Sequence, residues 1–325
     1  MLMFGVILGL IIMATIIIGS YFVRYSLMPN KGAEAREVVS DERIVPEEKV
    51  LSNKELVARS VSQEKDLRDA WLNDMDVIKR EVSITSHDDL RLSGHVFEQE
   101  EPADRWFILL HGYQASEYET FTIAQHLYEG GYNVLTVSLR AHGGSEGKYI
   151  GMGYLDKDDL LSWTHRLIEL HPDSQIIYHG TSMGGATVLM ASGMDLPDQV
   201  KAVISDSAFS NSWDIFASEM KQRFDLPSFP ILNMAQIMGQ VIAGYNIKAG
   251  NVLKYVAKST VPILFIHTET DNFVPVSMAH DLYETKTTGD KELYITENGG
   301  HTMAKFVAPF KYYHTIFNFV LKYLD

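Results

Sequence analysis

Residues 175–192 read QIIYHGTSMGGATVLMAS. The first five suit a buried strand, and ATVLMAS suits a helix. Between them stands Gly180-Thr181-Ser182-Met183-Gly184, a G-x-S-x-G spacing followed by Gly185. Glycines permit a sharp turn and a close backbone approach, which push a serine side chain out at the end of a strand. The N-terminus of the following helix favours negative charge developing there. A Gly-rich turn that only packs a helix onto a sheet is the plainer reading, so the residues around it must decide.

Outward from this turn, short apolar runs alternate with longer helical patterns. Strands are expected at 81–85, 91–97, 106–110, 133–139, 175–179, 201–205, 262–267 and 291–296. The first two alternate polar and apolar residues and read as antiparallel. The next six are continuous apolar runs, as strands buried on both faces require. Helical patterns fall at about 120–130, 155–170, 183–194, 276–287 and 303–323. Such alternation predicts an α/β fold: a mostly parallel eight-stranded sheet with helices on both faces. One domain of about 245 residues, 80–325, holds it all.

A serine nucleophile needs a base, and the base needs an orienting acid. In a fold with this elbow the order is Ser, acid, His. Among the late histidines, His267 lies within a strand, and His280 and His314 lie in helical patterns. His301 follows Asn298-Gly299-Gly300 on a loop past the last strand, where active-site residues of open α/β sheets collect. It is the expected base. The acid belongs after strand 262–267, in Glu269-Thr270-Asp271-Asn272. Asp271 is the first candidate, with Asp206 and Glu269 as alternatives. An oxyanion needs two backbone N–H donors. Met183, just after the serine, and Tyr113, in the loop Leu110-His111-Gly112-Tyr113-Gln114, are the expected pair. His111 is expected to be structural.

HGY, GTSMGG, HTETDNFVP and GGH occur in that order. Over residues 80–325 this set resembles the α/β-hydrolase superfamily, in particular bacterial membrane-anchored hydrolases of esterase-like or serine-aminopeptidase-like type. Arg140-Ala141-His142-Gly143-Gly144-Ser145 resembles the family's D-x-R-G-H-G-x-S loop. Ser138 stands where the family has Asp, and Ala141 where it has Gly; the resemblance implies a structural role for the loop. It also implies a helical lid between strands 201–205 and 262–267, at about 209–258. That insertion is rich in Met and Phe and carries no basic cluster, which favours an apolar acyl or aryl group near the chemistry.

The 325 residues include 28 Lys and Arg, 42 Asp and Glu, and no Cys. A net charge of -14 argues against nucleic acid as a partner. The missing cysteines exclude disulfides, a thiol nucleophile and thiolate metal sites. No metal or other cofactor is expected. Residues 1–23 carry no charge and reach about 34 Å as a helix, enough to cross a bilayer. A signal peptide would want a basic residue before the run and a small-residue cleavage site after it. A core helix would have to be buried all round. The run is therefore read as a transmembrane anchor outside the fold. Arg24, Lys31, Arg36 and Arg43 follow it, which places the remaining chain in the cytoplasm by the positive-inside rule. Residues 24–79 are read as a charged, partly helical connector that holds the active site off the membrane, with Trp71 docking it onto the main domain. A chain starting near Glu47 is accordingly expected to be soluble and active.

The expected function is cleavage of carboxylic esters through an acyl-enzyme on Ser182. The alternatives are a peptidase that binds a substrate amine through Glu117, Glu119, Asp206 or Glu219, and a non-catalytic binding protein.

Overall fold

The computed structural model describes residues 2–29, 47–74 and 77–324. Lys31, Arg36 and Arg43 lie outside the described residues, as do the side chains of Val50 and Leu51.

Eight strands form one sheet: β1 Ile78–Thr85, β2 Arg91–Glu98, β3 Arg105–Leu110, β4 Asn133–Val137, β5 Gln175–Thr181, β6 Val200–Asp206, β7 Ile263–Thr268 and β8 Lys291–Thr296. Their spatial order is β1-β2-β4-β3-β5-β6-β7-β8. β1 pairs antiparallel with β2, and β2 with β4; every later pairing is parallel. The expected architecture is met. Its cause is visible in β3, where Trp106, Ile108 and Leu110 enter one apolar cluster and Phe107 and Leu109 enter the other. A period of two sends alternate side chains to opposite faces, so a strand covered on both sides must be apolar throughout.

The helices are α1 Leu2–Leu27, α2 Glu47–Leu72, α3 Glu117–Glu129, α4 Asp156–Leu170, α5 Met183–Ser192, α6 Ser212–Phe224, α7 Ile231–Ala243, α8 Leu253–Val256, α9 Val276–Thr285, α10 Ala304–Val307 and α11 Pro309–Val320. The helix expected at 303–323 is two. Ala308 sits at φ −145° and ψ 69°, because a residue before proline is driven out of the α region. Between β6 and β7 the chain forms α6, α7, a 3₁₀ turn at Ile247–Ala249 and α8.

The N-terminal reading changes in one part. α2 docks on the domain as Trp71 led us to expect: Trp71 is buried against Phe97 and Tyr128, and the Glu64 carboxylate lies 2.7 Å from His126 Nε2. α1, however, is not outside the fold. Its first four turns are exposed, but Phe22, Val23 and Leu27 are buried in the main core. Gly19 meets α7 so closely that a Cβ there would overlap the Met234 carbonyl oxygen. Small residues allow this approach of two helix backbones. The Ile150 N–H donates to the Leu27 carbonyl oxygen at 2.7 Å. The boundary drawn at residue 23 thus falls inside a packed helix. Among the described residues, this end of α1 rests directly on the domain.

Candidate active site

Ser182 is the turn between β5 and α5, at φ 55° and ψ −114°. A non-glycine residue with positive φ is uncommon and is held only by its surroundings. Here the neighbours must be glycines: a Cβ at Gly180 would overlap the Gly184 carbonyl, and one at Gly184 would overlap the backbone of Leu110 and His111. The Ser182 N–H donates to the Asp206 carbonyl oxygen at 2.7 Å, and the Ser182 carbonyl accepts from Ala186 N–H in α5.

His301 Nε2 lies 2.7 Å from Ser182 Oγ, and His301 Nδ1 lies 2.7 Å from Asp271 Oδ2. His301 is on the loop after β8, and Asp271 on the loop after β7. Three residues separated by up to 119 positions therefore form one chain of hydrogen bonds. Asp271 Oδ1 accepts the N–H groups of Phe273 and Val274 at 3.0 and 2.9 Å. Burial works against its charge, but hydrogen bonds from His267 and His301 outweigh it and hold the carboxyl well below the usual carboxylate range. The two alternative acids are elsewhere. Asp206 accepts from Tyr312 Oη and Ser207 Oγ, and Glu269 is exposed.

His267, set aside in the sequence as a strand residue, stands behind the acid. Its Nε2 donates to the Val274 carbonyl at 2.8 Å and lies 3.4 Å from Asp271 Oδ2. Burial lowers its pKa, but the Asp271 carboxylate more than offsets this and raises it. The sequence held the signal in the four-residue spacing from His267 to Asp271 at the end of a strand.

The loop after β3 passes beside the serine: a Cβ on Gly112 would lie 3.4 Å from Ser182 Cβ. This brings the Tyr113 backbone close to Ser182, next to Met183, the first residue of α5. The leading N–H groups of a helix have no intrahelical partner. Two buried histidines brace the loop. His111 Nδ1 donates to the Gly112 carbonyl at 2.8 Å, and its Nε2 accepts the Leu139 N–H at 3.0 Å. Burial pushes its pKa down to about 3, so it stays neutral and keeps both bonds. His142 Nε2 accepts the Gln114 N–H at 3.1 Å. The loop around His142 is held in turn by Arg140, whose guanidinium meets Asp159 at 2.7 Å through two nitrogens and Asp88 at 3.0 Å. His87, Asp88 and Asp159 cluster as metal ligands do, but the Arg140 cation already fills that role.

A cavity of about 270 Å³ opens over Ser182 and His301. Ile215, Phe216, Met220, Phe224, Leu232 and Ala235 of the β6–β7 insertion line it, together with Phe22, Val23 and Leu27 of α1. The α1 residues were missed in the sequence, because an apolar run reads the same whether lipid or protein covers it. Of the four carboxylates considered for an amine, only Glu119 and Glu219 reach the cavity. Glu219 is paired with Arg223. Glu117 lies 3.2 Å from His95 instead.

The family described as alpha/beta hydrolase fold matches residues 105–230. The Bacillus subtilis protein YqkD is 33% identical over 198 residues, which cover 61% of this chain and 65% of that protein. The match thus spans just under two thirds of that relative. An uncharacterized membrane protein of Saccharomyces cerevisiae is 26% identical over 175 residues, 53% of this chain and 55% of its own length. The esterase Pf2001 of Pyrococcus furiosus superposes with a TM-score of 0.64 at 26% identity, covering 80% of this chain and 94% of that one. An acylaminoacyl peptidase of Pyrococcus horikoshii gives 0.57 at 19%, covering 77% of this chain and 42% of that one, and shares the fold. With its sheet order, its G-x-S-x-G elbow and these likenesses, the chain has the α/β-hydrolase fold.

Proposed function

We propose that this hydrolase is a serine esterase that cleaves carboxylic esters carrying an apolar acyl or aryl group. The observation that carries the reading is the 2.7 Å contact of Ser182 Oγ with His301 Nε2, backed by the 2.7 Å contact of His301 Nδ1 with Asp271, beneath a largely apolar cavity. His301 takes the Ser182 proton as Oγ attacks the ester carbonyl. Asp271 holds the imidazole in the tautomer that receives it and stabilises the imidazolium. The tetrahedral oxyanion is received by the N–H groups of Tyr113 and Met183. His301 then protonates the leaving alcohol, which leaves an acyl-enzyme. Water, losing its proton to His301, attacks the acyl carbonyl, and the proton returns to Ser182 as the acid departs. The cavity-lining residues of the β6–β7 insertion, Ile215, Phe216, Met220, Phe224, Leu232 and Ala235, act as a lid that holds the apolar group and excludes water. α1, long and apolar enough to cross a bilayer, anchors the protein in the membrane. Arg24 beyond it favours a cytoplasmic domain.

The peptidase alternative draws on Glu119, exposed at the cavity wall with its pKa raised by desolvation against the attraction of Lys305. That cation and the Glu219–Arg223 pair leave little net charge to hold an ammonium group, which favours the ester. The test is fluorophosphonate labelling, followed by a panel of p-nitrophenyl esters and aminoacyl anilides. Ser182→Ala is expected to abolish labelling and to cost about 10⁴–10⁶ in kcat. Activity within tenfold of wild type would sink the assignment, and faster cleavage of anilides than of esters would favour the peptidase.

A further inference from the structure

The apolar surface of α1 continues onto the domain. Met3 to Ile17 present a series of exposed apolar side chains, and Tyr21 remains 54% exposed. The first charged residue after this run is Arg24. About 20 residues are needed to cross the hydrocarbon of a bilayer. Counted back from Arg24, they include Gly19, which abuts α7, and Phe22 and Val23, which are buried in the core. The stretch that lies in lipid and the stretch that lies in the domain therefore overlap.

The contacts also fix a level for the neighbouring elements. Gly19 abuts Met234 and Met238, and Val23 abuts Gly239, so α1 and α7 run in the same direction. At 1.5 Å per residue, the chain just before Met234 lies beside the part of α1 upstream of Gly19. Phe229 is there, 74% exposed, and Ile237 follows on α7 at 52%. Phe224, at the end of α6, packs on Phe22 and Tyr25. This sets the exposed Lys221–Asp225 ion pair near the level of Arg24. From Asp225 to Phe229 the chain thus passes from a charged level to an apolar one. Phe22, Phe224 and Leu232, which belong to this zone, also line the cavity above Ser182.

We propose that α1 and the α6–α7 segment form one membrane-embedded rim, and that the site cleaves an acyl ester resident in the bilayer, whose chain passes into the cavity at this rim without entering water. The proposal rests on the serine-esterase reading and adds the substrate's class and its source. The bilayer is the occupant that fits, because the exposed apolar face of the α6–α7 segment continues that of a helix long enough to span it.

The full chain, purified in detergent and reconstituted into phosphatidylcholine vesicles, tests this in two ways. It has no cysteine, so Phe229→Cys offers one site for a bimane label. Brominated phosphatidylcholine should quench that label and spare one at Leu170→Cys, an exposed position at the far end of α4. Equal quenching at the two sites overturns the proposal. The second measurement compares monooleoylglycerol held in the vesicles with soluble p-nitrophenyl butyrate. Wild type should cleave both. Phe229→Asp with Ile237→Asp, neither of which lines the cavity, should keep the soluble activity within about twofold and lose about tenfold or more on the vesicle ester. Undiminished cleavage of the vesicle ester by the variant overturns the rim. Wild type that cleaves only the soluble ester overturns the substrate while leaving the esterase reading intact. Failure on both esters with no fluorophosphonate labelling overturns the esterase reading, and this proposal with it.

Discussion

The Tyr113 hydroxyl donates a 2.6 Å hydrogen bond to the carbonyl oxygen of Ser26. Tyr113 belongs to the loop beside Ser182, and Ser26 to the last turn of α1. The bond ties the apolar N-terminal helix to the loop expected to receive the oxyanion. α1 is therefore part of the site's wall as well as a helix long and apolar enough to cross a bilayer.

Removing it should cost activity, against what the sequence alone led us to expect. A chain starting at Glu47 loses Phe22, Val23 and Leu27 from the cavity and leaves α7 uncovered. Its kcat/KM for a soluble ester should fall at least tenfold in detergent, and it should aggregate more readily. In the full chain, Leu27→Ala removes a fully buried side chain and should cost about 2–5 kcal/mol of stability. Wild-type kcat/KM from the shortened chain would show that α1 is dispensable to the site.

Gly19→Val probes the same contact with one substitution. The added side chain would meet the α7 backbone at Met234, which cannot rotate away. The helices must separate, with a cost of about 1–3 kcal/mol as for other overpacked sites. KM for long-chain esters should rise, since the cavity wall moves, while fluorophosphonate labelling of Ser182 persists. An unchanged KM would mean that α1 can shift without disturbing the cavity.

Asp271→Asn should lower kcat about 10⁴-fold by favouring the wrong His301 tautomer, with KM little changed. Asp206→Asn should weaken the fold through its lost partners Tyr312 and Ser207 and leave kcat within tenfold. If Asp206→Asn proved the more damaging to kcat, the acid would be misassigned.

The low pKa of Asp271 also carries a pH signature. A carboxyl whose folded pKa lies below its reference value of 3.8 contributes stability that is fully present above that pH and lost as pH falls below it. The stability gap between wild type and Asp271→Asn, measured by urea unfolding, should therefore be wide at neutral pH and shrink as the medium is taken below pH 3.8. A gap that stays constant across that range would deny the linkage.

Ala141 stands where the family loop has glycine, and it sits at φ 63°. An alanine there is strained by about 1–2 kcal/mol, offset in part by the entropy a glycine would lose. Ala141→Gly should leave stability unchanged or raise it by up to about 1 kcal/mol. Destabilisation beyond that would mean that the Ala141 methyl packs better than its backbone suggests.

The elements of the sheet were readable in the sequence because each obeys a local rule. Continuous apolar runs such as 106–110 mark strands covered on both faces, and Gly180 and Gly184 mark a turn so close that a Cβ at either would overlap neighbouring backbone. Ser182, His301 and Asp271 were legible for the same reason: each sits on a short loop at the end of a recognisable strand. What covers an apolar side chain is not written locally. Phe22, Val23 and Leu27 carry the same residue types as the exposed turns before them, and only the meeting of Gly19 with α7 turns them from an exposed apolar surface into a wall of the cavity. His267 likewise read as an ordinary strand residue until the loop after β7 folded Asp271 back to 3.4 Å from it. Sequence periodicity fixes which faces must be buried; tertiary packing decides which partner buries them, because apolar surface is driven from water without regard to what it meets.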